Sequence, residues 1–520
     1  MEGGRSDVDA GRPEAPVFEA RQIRSHMTFL ADDVLQGREA GTRGYELAAL
    51  YVAANFERLG VEPAGDHGTY FNEVTLQETR IVGHADMQVG DELLFQEDFA
   101  VYPFVSVETT EAAGEAVFVG FGIEAPTFGI NDYEGIDARG KVVVAVTGGA
   151  EGMPDEERSY FTSRAAKATT AASKGASAIV FVGAPSSDSL VSFERRRRFV
   201  GRPTTTWVAP DGTAYSEYGG IQVAYVSNDA AARLFAGAEK TYEEIRREAE
   251  AGEISGFDLP IEIRLSQTTA RHRFTSPNVV GVLRGRDSVL ADEYVVLSAH
   301  LDHVGVGRPV QGDSIYNGTL DNSAGVSVLL EVARAFGEEA SRPRRSLLFL
   351  ALTAEEKGLL GSELYAAHPT VPKEGIVANV NLDMPLLLYD FIDVVAFGAE
   401  HSTMGETVAD AASQIGVRLS PDPMPEERLF TRSDHYSFVK EGVPSVFLVT
   451  GFANGGEQAF NSFLQSHYHR PSDEISLLIN FDAGAKFALL NYLIARNLAN
   501  ADEAPSWKPD DFFGETFGTK

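Results

Sequence analysis

The 520-residue chain contains no cysteine. That absence excludes disulfides, thiolate zinc sites and cysteine nucleophiles, so any zinc must be held by His, Asp and Glu. Basic residues are also scarce: 44 Lys and Arg face 76 Asp and Glu, for a formal net charge of −32. Phosphate binding needs clustered cations, so neither nucleic acid nor an anionic membrane is expected as a partner. The one basic run, Arg195-Arg196-Arg197-Arg198, reads as a solvated loop or ion-pair cluster in an acidic chain. Long apolar runs are missing too. None reaches the ~20 residues needed to cross a bilayer, and the opening MEGGRSDVDAGRPEAP lacks the apolar stretch of a signal peptide. Residues 1–16 are therefore expected to be a flexible leader.

What is present is the composition of a globular protein, 43% hydrophobic and 23% charged, in a chain long enough for two or three domains. Residues 17–80 predict two helices at apolar spacing, Phe18–Leu30 and Thr42–Leu59, joined by the turn-rich Leu35-Gln36-Gly37-Arg38-Glu39-Ala40-Gly41. Residues 81–270 change to short strands punctuated by Gly and Pro, among them 113–122, 141–146 and 176–182. A charged helix over 239–251 carries no chemical signature, and the whole stretch reads as a non-catalytic, β-rich insert. Over 271–503, strands at 278–284, 293–298, 346–352, 376–382, 391–397 and 445–449 alternate with helices. That alternation predicts an α/β fold with a mixed, mostly parallel central sheet and helices on both faces. Residues 504–520 are left as a C-terminal tail.

The chemistry gathers where these strands stop. His300 and Asp302 follow an apolar run, Asp321 precedes a helix, Glu355 and Glu356 follow SLLFLALTA, Asp383 ends VANVNLD, and His469 and Asp473 share a loop. Any one acid could cap a helix, Asp321 above all. A glutamate doublet after seven apolar residues is costly without a cation beside it. Two imidazoles and three carboxylates can hold two divalent ions if one carboxylate bridges them; the set suits Zn2+, and Co2+ or Mn2+ less well. Two ions ~3.5–4 Å apart can clamp a hydroxide and polarise a carbonyl at once. The reaction then needs a proton carrier, and the non-ligating glutamate of the doublet is placed for it.

The motifs S-A-H-L-D-H, L-D-N-S-A-G, T-A-E-E-x-G-L-x-G-S, N-L-D-M and Y-H-x-P-S-D-E, in that order, resemble metallopeptidase family 28 (clan MH). The leading L-A-D-D-x-L-x-G-R-E-A-G-T-x-G is similar to the helices that open the family, and N-D-Y-E-G-I-D-x-x-G-K-V-V-V is similar to its protease-associated (PA) insert. The likeness spans about residues 17–500 and implies the zinc-exopeptidase, phosphorylase/hydrolase-like fold. It implies two Zn2+ per chain, with Asp321 bridging, His300 and Asp383 on one ion, and Glu356 and His469 on the other. Glu355 would be the general base and acid, and Asp302 would orient the His300 imidazole. A cis peptide is implied at Asp321-Asn322. His303 is expected to pack in its loop, His467 to yield to its neighbour His469, and Asp434 and His435 to lie near the substrate.

The implied activity is an aminopeptidase releasing N-terminal residues from peptides, exported although this chain begins without a signal peptide. A carboxypeptidase or dipeptidase of the same family, and a non-catalytic receptor-like scaffold, remain as alternatives. The sequence does not choose between monomer and dimer. The family's usual disulfide near the site cannot form here.

Overall fold

The computed structural model describes residues 16–149, 152–337 and 342–518, so the expected leader lies outside the described residues apart from Pro16. The chain divides into two compact units: 1–73 with 276–423 and 433–520, and 74–275 with 424–432.

The first unit is built on a mixed sheet. Its strands run in the order Glu62–Pro63, the end of Phe257–Leu283, Ser346–Leu352, Tyr294–His300, Ile376–Leu382, Ser445–Thr450, Asp393–Phe397 and Arg418–Leu419. The four central strands from Ser346–Leu352 to Ser445–Thr450 are mutually parallel. Parallel strands are covered on both faces, which is why Ser346–Leu352 and Tyr294–His300 read as unbroken apolar runs and are buried at every position. Truncating one such leucine to alanine costs about 2–5 kcal/mol.

On one face Val296, Leu348 and Leu350 pack with Tyr365 of helix Leu360–Ala367 and Phe438 of helix His435–Lys440. Helix Ala324–Gly337 contacts the same central strands and packs against Ala20–Leu30 and the long closing helix Phe481–Asn500. Helix Arg43–Arg58 starts where Thr42 accepts the Tyr45 N–H at 3.4 Å. Register decides the rest. His300 lies opposite Leu352 in the parallel ladder, so the residues just beyond both strands emerge at one carboxyl edge.

The second unit has its own sheet, ordered Glu92–Leu93, Asp86–Val89, the start of Phe257–Leu283, Thr109–Phe118, Val142–Val146, Ala178–Val182, Gln222–Val226 and Phe99–Val101. It too carries helices on both faces. Ala168 and Ala171 of Arg164–Ser173 pack on one side, and Leu234 of Asn228–Leu234 and Ile245 of Tyr242–Ala251 on the other. It is thus more helical than its Gly and Pro punctuation suggests.

Strand Phe257–Leu283 is 27 residues long and supplies both sheets, whereas the sequence places a strand only from 278. Pro260 and Pro277 read as breakers, but a register shift between Asp258 and Glu262 absorbs the first. The expected tail also has structure: Asp511 caps helix Phe512–Phe517, and its carboxylate lies 2.6 Å from His401 Nδ1.

Candidate metal centre

The acids and imidazoles predicted at the strand ends converge. His300, Asp321 and Asp383 form one group of possible donors; His303, Asp321, Glu356 and His469 form a second. Asp321 belongs to both and divides its oxygens between them. Oδ1 lies 3.2 Å from His300 Nε2, and Oδ2 lies 3.1 Å from His469 Nε2. His300 Nε2 is also 3.1 Å from Asp383 Oδ1, and His469 Nε2 is 3.0 Å from Glu356 Oε2. These spacings approach the ~3.3 Å edge of a tetrahedron with ~2.0 Å metal–ligand bonds. A set of nitrogens and carboxylate oxygens without sulfur is one that zinc accepts, so the residues fit the ions implied by the sequence.

Each donor is held from behind. The Asp321-Asn322 peptide is cis. Asn322 Nδ2 donates to Leu382 O at 2.9 Å and its Oδ1 accepts from Met384 N at 3.3 Å, joining the bridging aspartate to the strand that carries Asp383. Asp473 accepts the backbone N–H groups of Leu320 and Asp321 at 3.0 and 3.2 Å. Ser433 Oγ donates to Asp383 Oδ2 at 2.5 Å and accepts from Asn381 Nδ2, whose Oδ1 accepts from Ser298 Oγ. Three residues at the centre adopt the left-handed region without being glycine: Ala354 just before the doublet, Met384 just after Asp383, and His469 itself. Such conformations cost about 1–3 kcal/mol each and persist where the surroundings impose them.

The groups are also electrostatically interdependent. Burial pulls the His300 imidazolium down, but Asp383, Glu355 and Asp321 outweigh it and hold its pKa well above the ordinary value. The same contest raises His469 to about 10, through Asp321 and Glu356. Burial pushes Asp321 up, yet the hydrogen bonds from His300 and His469 leave it well below the usual carboxylate range. Glu356 falls to about 2 although burial and Asp321 raise it, because His303 and His469 favour its charged form. Glu355 goes the other way. Burial, Asp383, Glu356 and Asp434 raise it well above its ordinary value, against the pull of His300.

One expected role is corrected. The carboxylate of Asp302 does not hold the His300 ring; the Asp302 backbone oxygen does, 3.1 Å from Nδ1. The carboxylate instead accepts the backbone N–H groups of Glu355 and Glu356 at 3.1 and 3.3 Å, so it fixes the doublet. The turn after strand Tyr294–His300 points that side chain toward the neighbouring strand end, a direction that residue spacing does not contain. Asp434 and His435, expected near substrate, are both 0% exposed. They open a helix packed beneath the sheet edge, where burial raises Asp434 to about 7 and where it lies within electrostatic reach of His300 and Asp383.

His467 turns its Nδ1 to Ser472, 3.1 Å from the backbone oxygen and 3.0 Å from Oγ, and so faces away from the donors that His469 meets. His303, expected to pack in its loop, enters the second donor group, with Nδ1 2.7 Å from Glu356 Oε1.

Arg38 carries weight that its motif did not disclose. It is 1% exposed and donates only to backbone carbonyls: Leu301 O at 2.9 Å, Asn317 O at 2.6 Å, Gly318 O at 3.0 Å, and Leu30 O. One guanidinium thus ties the end of the first helix to the two segments that precede His303 and Asp321. Burial lowers its pKa to about 10 while Asp302, Asp473, Asp321 and Glu356 draw it up. Gly37, at φ +68, lets the turn through: a Cβ there would sit 2.4 Å from Tyr316 O. An arginine directly after a glycine in a turn-rich link is the sequence signal that could have found it.

Residues 278–492 match the family model of Peptidase family M28. An aminopeptidase, NAALADL1, from Mus musculus is 34% identical over 133 residues, which are 25% of this chain and 16% of that protein. Aminopeptidase YwaD from Bacillus subtilis is 27% identical over 208 residues, covering 39% of this chain and 40% of the relative. The chain therefore spans well under half the length of these curated relatives. The solved structure of an aminopeptidase from Aneurinibacillus sp. strain AM-1 superposes over 95% of this chain and 97% of its own, with TM-score 0.51 and 18% identity, a likeness of fold.

Proposed function

We propose that this chain, whose residues 278–492 match the family model of Peptidase family M28, is a two-zinc exopeptidase, an aminopeptidase that removes N-terminal residues from peptides. The observation that carries this is the division of Asp321 between two donor groups, one oxygen to each. His300 and Asp383 would hold one ion, Glu356 and His469 the other. When bound, the ions supply a Lewis acid for the scissile carbonyl and acidify the attacking water.

The remaining work falls to the chain. Glu355 takes a proton from the water and returns it to the leaving amine. A half-buried carboxyl whose pKa is raised by burial and by neighbouring acids binds a proton more readily than an exposed one, as a shuttle must. Asp302 keeps Glu355 in place through its backbone N–H. Asp473 and Asn322 hold the bridging aspartate, and Ser433 keeps one oxygen of Asp383 occupied so that the other faces the ion.

Residues 81–270, which fall in the second unit, we read as the PA-like insert. Family likeness also supports an exported protein. Among the described residues no helix is long and apolar enough to cross a membrane.

Elemental analysis beside hydrolysis of aminoacyl-nitroanilides, with and without chelator, tests the proposal. Two zinc per chain with chelator-sensitive release is the expected result. Two zinc with cleavage only of C-terminal or dipeptide substrates would replace the aminopeptidase by its carboxypeptidase or dipeptidase alternative. No zinc after reconstitution would leave a scaffold.

A further inference from the structure

We infer that His303 is a third imidazole donor of this centre, giving the Glu356 and His469 position four protein ligands where the His300 and Asp383 position has three. The inference rests on the two-zinc reading above and adds a residue to it.

Four observations converge. The His303 side chain is 0% exposed, and neither ring nitrogen has a hydrogen-bond partner. A buried unpartnered imidazole is costly unless something else satisfies it. Its Nδ1 lies 2.7 Å from Glu356 Oε1 and 3.8 Å from Asp321 Oδ2, all within one group of possible donors. Glu356 Oε1 has no hydrogen-bond partner either, so the two atoms are close without being aligned as donor and acceptor. Lone pairs that converge without facing each other are what a shared cation requires. Finally, the rings of His303 and His469 stand nearly perpendicular, at 75° with centroids 5.5 Å apart, which lets both reach one ion from different sides.

The neutral tautomer with its proton on Nε2 leaves Nδ1 free to bind. The ring packs directly against Gly318, where a Cβ would lie 2.4 Å from His303 Cγ, so this position of the imidazole requires the glycine. With four protein donors this position would stay open to water only by becoming five-coordinate, a state catalytic zinc can reach. The two positions should therefore differ in affinity, with the His303 side filled first.

Zinc X-ray absorption on the intact two-zinc protein counts the imidazoles directly. Three histidines over two ions predict about 1.5 imidazole nitrogens per zinc, falling to about 1.0 in His303→Gln. Zinc titration against a competing chelator should show the tighter ion weakened about 100-fold or more in that variant, with the looser ion unchanged. A wild-type count of about 1.0 would overturn the inference even if the variant bound zinc less well, since His303 would then act only through Glu356. The wild-type count needs no variant to fold, and circular dichroism of His303→Gln guards the titration. Failure of the wild-type protein to take up two zinc ions would instead remove the two-zinc reading itself.

Discussion

The two units use the same architecture for opposite ends. Each has largely buried central parallel strands with helices on both faces, yet among the described residues only the first delivers convergent acids and imidazoles beyond its strands. Among the described residues, no group of three possible metal donors lies wholly within the second unit. Its most deeply buried charge among the described residues is an amine. Lys167, on helix Arg164–Ser173, is 1% exposed and donates to Val146 O at 3.0 Å and to Gly148 O just past the end of strand Val142–Val146. A strand end can thus be closed by one amine capping carbonyls, or opened to chemistry by several groups that satisfy one another only around a cation. The fold permits both, and the side chains at the carboxyl edge decide.

The contrast can be broken most sharply at Asp321. Asp321→Asn keeps the shape but removes the shared charge, so both ions should be lost and hydrolysis with them, by elemental analysis and rate. Full two-zinc occupancy in that variant would show that the positions are independent. Glu355→Gln should separate chemistry from binding. The zinc content should remain while turnover falls about 10²- to 10⁴-fold, the usual contribution of a positioned proton carrier. Unchanged turnover would pass that role to another group.

The smallest effect lies in the second unit. Burial lowers Lys167 to about 7, with Asp132 opposing and Arg428 assisting. A lysine near 7 when folded and near 10.4 when unfolded means that the unfolded chain binds more protons between those values. Its burial penalty is therefore fully present below pH 7 and fades as pH rises toward 10. Lys167→Met should flatten that slope and raise stability at pH 7, measured by thermal unfolding across the pH range, with zinc content untouched. Parallel pH profiles for the two proteins would mean that the amine stays charged in its pocket.

Much of this was legible before any coordinates. Ser346–Leu352 and Ile376–Leu382 were readable to the residue, because a parallel strand covered on both faces is an apolar run with abrupt ends. The converging residues were legible as polar groups at element ends: His300, Glu355, Glu356 and Asp383 follow apolar strands, Asp321 precedes a helix and His469 lies in a loop. Strand Phe257–Leu283 was not, because its two prolines look like breaks when its partners are unseen.

What sequence alone determined, then, was the inventory: an α/β chain without thiols, whose acids and imidazoles sit at successive element ends. Tertiary structure decided the directions. It turned the Asp302 carboxylate to the glutamate doublet, buried Asp434 and His435 beneath the sheet edge, and sent His467 to Ser472. It also brought Arg38 from the first helical segment to carbonyls more than 260 residues away, and set His303 against Glu356. The physical reason is common to all five. Periodicity and run length follow from local burial, whereas the direction of a loop side chain is set by contacts with residues far away in the chain.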